Sequence, residues 1–164
     1  LKKSMKIATK NKNLLVLLNR RREGRRPIQN FGMGVAVKKN DEVIFGDIKT
    51  NEVHYKDEQT VAGYLEYERS RVKWFLSIDA NHLPENAIQG EKKTYRSILI
   101  EDEELEFSGG FTDLHTQSYQ NILDGNGYGL EENRAAIETV EKIRLQQTVH
   151  TPEHHHPLLS KILK

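Results

Sequence analysis

The strongest constraint on the fold of this chain is a pair of alternating segments, Thr60–Glu68 and Arg71–Asp79, joined by Arg69 and Ser70. Successive side chains of a strand point to opposite faces. Val61, Leu65 and Tyr67 therefore share one row of the first strand, and Val72, Trp74, Leu76 and Ile78 one row of the second. Tyr64 and Phe75 stand on the other side. A hairpin with apolar residues on both faces belongs inside a wider sheet. If helices cover only one side of that sheet, the second row stays exposed, and such a face marks an association surface.

The rest of the chain supplies partners for this hairpin. Leu1–Lys12 reads as a short helix end. Leu14–Leu18 (LLVLL) is an apolar run of strand length, consistent with a central strand. Arg20–Arg26 is a basic turn around Gly24, and Pro27–Gly34 is loop-like. Val35–Phe45 alternates weakly about a polar turn, which predicts a small hairpin. Val53–Tyr55 reads as a short strand and His82–Gly90 as a loop marked by Pro84. Thr94–Ile100 and Glu104–Ser108 form a second hairpin turned at Glu101–Glu103. Phe107–Leu130 (FSGGFTDLHTQSYQNILDGNGYGL) then combines a strand end, a Gly-Gly turn and an amphipathic helix over Asp113–Leu123. Thr112 and Asp113 sit where an N-cap is wanted, and Gly125 stops the helix. A last helix runs over Glu131–Gln147 with Ala136, Val140 and Ile143 at helical spacing. Strands in hairpins followed by helices give an α+β class: an open, largely antiparallel sheet with helices on one face and the other face available for oligomerisation. One domain spans residues 1–147, and 148–164 is a C-terminal tail.

Composition removes several classes of function. The 164 residues include no cysteine, which excludes a disulfide scaffold, a thiolate zinc site and a thiol nucleophile. The net charge of +1 points to neither nucleic acid nor membrane as a partner. No apolar run reaches the ~18 residues of a membrane span. The run Leu14–Leu18 is too short for a signal peptide, so a cytoplasmic domain is expected. Without an initiator Met, the chain reads as an excised fragment.

The motif GFTDLHT from Gly110, with Tyr119, Ile122, Leu123 and the GNGYGL exit, resembles the bacterial UDP-N-acetylglucosaminuronate 3-dehydrogenases of the glucose–fructose oxidoreductase/inositol dehydrogenase superfamily. The likeness extends over Asn51–Arg144 through DEQTVAGYLEYER from Asp57, RVKWFLSID from Arg71, Leu83-Pro-Glu and KTYRSI from Lys93. The tail around Thr151-Pro and His156-Pro-Leu-Leu also resembles that family's C-terminus. The resemblance implies a C-terminal domain that shapes a sugar-nucleotide pocket and builds the oligomer. It further implies a partner Rossmann domain that binds NAD. The reaction it implies is oxidation of the sugar 3-hydroxyl by hydride transfer, in a pathway to lipopolysaccharide O-antigen. The same alignment puts Ala36 where the family carries a catalytic His, and Val37–Val43 where it carries an apolar helix. Leu14–Val43 is thus either rewritten or diverged. An exposed strand–turn–strand is expected over Val35–Val43. The chain itself is expected to hold no NAD, to have no catalytic residue of its own, and to lack hydride transfer. The alternative is an autonomous module whose task is sheet-to-sheet oligomerisation, with no ligand.

Three residues remain as candidates for the sugar nucleotide. Arg96 offers a planar guanidinium suited to a pyrophosphate, and Ser97 offers a hydroxyl beside it. Both read equally as ordinary residues of a surface strand. His115, next to Asp113, reads either as a pocket hydrogen-bonding group or as a His packed on the sheet. Gly125-Asn-Gly-Tyr-Gly follows a helix rather than a strand, so it reads as a turn and not as a dinucleotide loop. Arg20–Arg26 has no interleaved aromatic residue and reads as a solvated turn rather than a nucleic-acid patch. His150 and His154–His156 have the donor atoms for a transition metal, but in a flexible tail they assign no metal site. The partners expected are a homo-oligomer through the sheet face and a weakly held UDP-sugar.

Overall fold

A computed structural model describes residues 12–20, 38–39, 42–43, 45–90, 92–109, 113–127 and 129–163. Eight strands and four α-helices are described: β1 (Lys12–Arg20), β2 (Lys38–Lys39), β3 (Glu42–Val43), β4 (Ile48–Lys56), β5 (Thr60–Tyr67), β6 (Ser70–Ser77), α1 (Glu85–Gln89), β7 (Thr94–Ile100), β8 (Glu103–Glu106), α2 (Leu114–Leu123), α3 (Leu130–Leu145) and α4 (Leu159–Ile162). Six strands form one open sheet in the order β4-β5-β6-β1-β7-β8. Every neighbouring pair is antiparallel except β1 and β6. The α+β class, with its open and largely antiparallel sheet, is therefore the observed one.

The apolar run read as a central strand is β1. It lies between the two predicted hairpins, with Val16 in register with both Trp74 and Ile98. Because β1 occupies that slot, the chain leaving β6 must cross it to reach β7. That crossing carries a 3-10 turn at Ala80–His82 and the short helix α1, and it lays Ala87 against the sheet. The strand read as Val53–Tyr55 is longer, nine residues, and forms one edge of the sheet.

Two cores result, one on each face. On the first face Val53, Leu65, Val72, Trp74 and Leu76 pack beneath α3, which contributes Ile143 and Val140. Trp74 faces Gly63 across the β5–β6 pair. A Cβ at Gly63 would lie 2.5 Å from the indole and 2.1 Å from the Glu52 carbonyl oxygen, so only glycine leaves room for both. On the second face Ala62, Phe75 and Tyr95 pack against Ala87 and Leu159, with Leu158 and Ile162 at the margin. Tyr64 and Phe75, the row opposite α3, are both buried within the chain. Their cover is the C-terminal segment, which does not behave as a solvated tail. Leu159 and His156 are buried, and Val149 donates its amide to the Val53 carbonyl along the edge of β4. Burial of His156, with a lesser contribution from Lys73, pushes its imidazole down to about 3.

The other end of the molecule is thinner. The β7–β8 turn sets Glu101 in the left-handed region at φ 58°. All four side chains of β8 are exposed. Asp113 occupies the N-cap of α2 as expected, yet its side chain makes no capping bond. The small hairpin expected near Val35–Val43 is seen where it is described, with Lys38 opposite Val43 and Lys39 opposite Glu42. Ala36, the predicted basic turn Arg20–Arg26 beyond its first residue, and Leu1–Asn11 lie outside the described residues. No described helix is long and apolar enough to cross a membrane.

Candidate functional site

Arg96 and Ser97 sit on β7, and strand alternation separates them. Arg96 lies in register with Leu18 of β1, which pairs in turn with Leu76, so it belongs to the face covered by α3. Its backbone is fixed at both ends: its N–H donates to Ser108 Oγ at 2.9 Å and its carbonyl accepts from Phe107 N–H at 2.9 Å. The side chain is half-buried. Ser97 lies in register with Leu17 and so with Phe75, on the second face, where it is buried beside Tyr95. Adjacent residues on opposite faces do not grip one pyrophosphate together. His115 is exposed in the first turn of α2. None of the three is brought against another by a described contact.

The second face holds the feature that sequence reasoning missed. A groove of about 1000 Å³ opens between the β6–α1 crossing and the C-terminal segment. Phe75 forms its floor, Leu83, Pro84 and Ile88 one wall, and Leu158 and Ile162 the other. His82 faces it. Its Nδ1 lies 2.9 Å from Ser77 Oγ and 3.3 Å from Thr60 Oγ1, and its Nε2 is 3.9 Å from Asp79 Oδ2. Ser–His–Asp proximity alone does not make a nucleophile. Ser77 is buried, and its oxygen already accepts the Asp79 amide at 3.0 Å. The cluster orients His82 and ties the ends of β5 and β6. The groove is open and mixed in character: Asn81, His82, Glu85, Asn86, Gln89 and Lys161 line it together with the apolar residues. The signal in the sequence was Leu83-Pro-Glu, which marks the crossing. The opposite wall comes from residues some seventy positions later, and no local pattern announces it.

Electrostatics at the β7–β8 end are those of a solvated surface. Lys92 pairs with Glu106 at 2.9 Å, and Tyr95 Oη donates to Glu104 Oε1 at 2.8 Å. Burial, then the bond to Glu104, raises the Tyr95 phenol above its ordinary range.

Two crystal structures of the WlbA (WbpB) dehydrogenase from Thermus thermophilus share this fold. The one in complex with NAD and α-ketoglutarate matches with a TM-score of 0.74 and 35% identity, over 90% of this chain and 52% of that chain. The one in complex with NAD and UDP-GlcNAcA matches with a TM-score of 0.75 and 33% identity, over 92% of this chain and 52% of that chain. This chain thus spans about half the length of the dehydrogenase it resembles, as a C-terminal domain would. No protein-family model matches it.

Proposed function

We propose, from the kinship of this chain with the UDP-N-acetylglucosaminuronate 3-dehydrogenases over half of their length, that it is the substrate-side sheet domain of an NAD-dependent oxidoreductase of the cytoplasm. The observation that carries this reading is the match to an enzyme crystallised with both NAD and UDP-GlcNAcA, at 33% identity across 92% of this chain. The substrate class is a UDP-linked N-acetylaminosugar uronate, and the reaction is hydride transfer from its 3-hydroxyl to NAD. Arg96 is the residue we assign to the pyrophosphate. Its backbone is anchored by Ser108 Oγ and by the Phe107 N–H, and a guanidinium is the group whose planar fork pairs with phosphate oxygens. Ser97 serves instead to hold Tyr95, and His115 is left as an exposed hydrogen-bonding group that could close on the sugar. The 164 residues contain no strand–GxGxxG–helix unit to present backbone N–H groups to a dinucleotide. Taken alone, this chain therefore binds no NAD and transfers no hydride.

The test is a titration of the isolated chain with UDP-GlcNAcA and, separately, NADH, followed by amide NMR. Millimolar UDP-GlcNAcA should shift resonances of β7, and Arg96→Ala should abolish those shifts. NADH should shift nothing. Shifts confined to other strands, or retained in Arg96→Ala, would remove Arg96 from the site. A micromolar NADH affinity would overturn the inactivity of the chain alone.

Self-association is the second reading, favoured by α2 and α3. Leu123 and Leu130 are 80% and 84% exposed, and Tyr119, Ile122 and Ile137 are exposed beside them in sequence. Apolar residues at that density mark a contact surface, here on the helices rather than on the Tyr64–Phe75 row.

A further inference from the structure

The edge of the sheet farthest from Arg96 carries a cluster that the dehydrogenase reading does not use. Glu52 and His54 are two residues apart on β4, at the irregularity between Val53 and Tyr55, and their side chains meet. The C-terminal segment lays His154 against them from a hundred residues away. Glu52 Oε2 accepts from His54 Nε2 at 2.9 Å and from His154 Nδ1 at 2.8 Å. The three donor atoms lie within 4.8 Å of one another. Tyr64, paired with Glu52 across the β4–β5 ladder, stacks on the His154 ring at 4.0 Å and 13° and fixes its plane. The His54 side chain is 0% exposed, against 19% for Glu52 and 31% for His154. Its second nitrogen, Nδ1, is buried with no hydrogen-bond partner.

We propose that Glu52, His54 and His154 form a binding site for a zinc-like divalent cation, which fastens the C-terminal segment to the edge of β4. Two imidazole nitrogens and one carboxylate oxygen make a three-ligand set whose fourth position is left to water. Hard cations such as Mg²⁺ prefer all-oxygen shells, so this set selects the borderline transition metals. The carboxylate oxygen that now bridges both rings swings aside, and the rings close on the ion at ~2.0–2.1 Å per nitrogen. Each ring gives up the proton it now donates to Glu52 by changing tautomer: that of His54 moves from Nε2 to Nδ1, and that of His154 from Nδ1 to Nε2, so two neutral imidazoles face the ion and no proton is released. The single carboxylate neutralises half the charge of the ion. Lys73 donates to the Glu153 carbonyl. His155, whose ring centre lies 4.9 Å from that of His54, and His150, at 5.4 Å from His155, surround the site without sharing the Glu52 oxygen.

The site stands or falls independently of the sugar-nucleotide reading, and its test uses metal alone. Titration of the intact chain with Co²⁺ should give one equivalent with the visible spectrum of a low-coordinate centre. Zn²⁺ should displace it, and Mg²⁺ should not. Glu52→Gln and His154→Ala should each weaken binding at least ~10-fold, whereas His150→Ala should leave it unchanged. In the unmodified chain, ¹⁵N resonances of the His54 and His154 rings should move when Zn²⁺ is added, a readout that needs no variant to fold. No saturable spectrum, or ring shifts confined to His150, His155 and His156, would overturn the site. So would wild-type affinity in both Glu52→Gln and His154→Ala.

Discussion

The two ends of the six-stranded sheet are built from similar hairpins and have different fates. In the β5–β6 hairpin both faces are covered, by α3 on one side and by the crossing and C-terminal segment on the other. Every β5 and β6 residue but Glu66, Arg71 and Lys73 is buried. In the β7–β8 hairpin only Tyr95 and Ser97 are buried, and α2 stands with its described side chains exposed. β7 is as rich in strand formers as β5 and β6, and only the acidic β8 (EELE) is poor in them. The difference lies in what is laid over the strands, which supports reading the thin end as the part that meets another body and the thick end as self-sufficient.

The largest test of that contrast places the C-terminal segment in the core. Leu159→Ala should cost about 2–5 kcal/mol in urea unfolding, the range for a buried leucine. Leu105→Ala, at an exposed position of β8, should stay within ~0.5 kcal/mol. Equal losses would erase the distinction between the two ends.

Alkaline pH should strike the thick end next. Burial pushes the Tyr67 phenol up to about 12, while an unfolded tyrosine ionises near 10. The folded value is the higher one, so the contribution is complete below pH 10 and is lost as pH rises from 10 toward 12. The total is on the order of 3 kcal/mol. Tyr67→Phe should flatten that part of the stability profile. An unchanged slope in the variant would assign alkaline unfolding elsewhere.

How much of this was legible in the sequence follows the range of the patterns involved. Alternation over Thr60–Asp79 and the run Leu14–Leu18 are local, and they placed β5, β6 and β1. The cover supplied by His156 and Leu159 is not local. A four-residue helix after three consecutive histidines has no period to detect, and its burial arises from contact with Phe75, more than eighty positions away. At the candidate site, the opposite facing of Arg96 and Ser97 was available from the same alternation rule once both were placed on one strand. The pairing of Glu52 with His54 was hidden because the strand read as Val53–Tyr55 stopped one residue short.

The smallest expected effect falls on α2 and is the sharpest about assembly. Leu123 is 80% exposed, so Leu123→Lys removes little from the folded monomer and should change its unfolding free energy by less than ~0.5 kcal/mol. If α2 is a contact surface, the same substitution buries a charge at that contact, and light scattering at low micromolar concentration should shift from a multiple of 19.0 kDa to the single-chain mass. A multimer that survives Leu123→Lys would move the contact off α2. A wild-type chain that already scatters as a monomer would leave the exposed leucines to a different body, such as the cofactor-binding half of the proposed oxidoreductase.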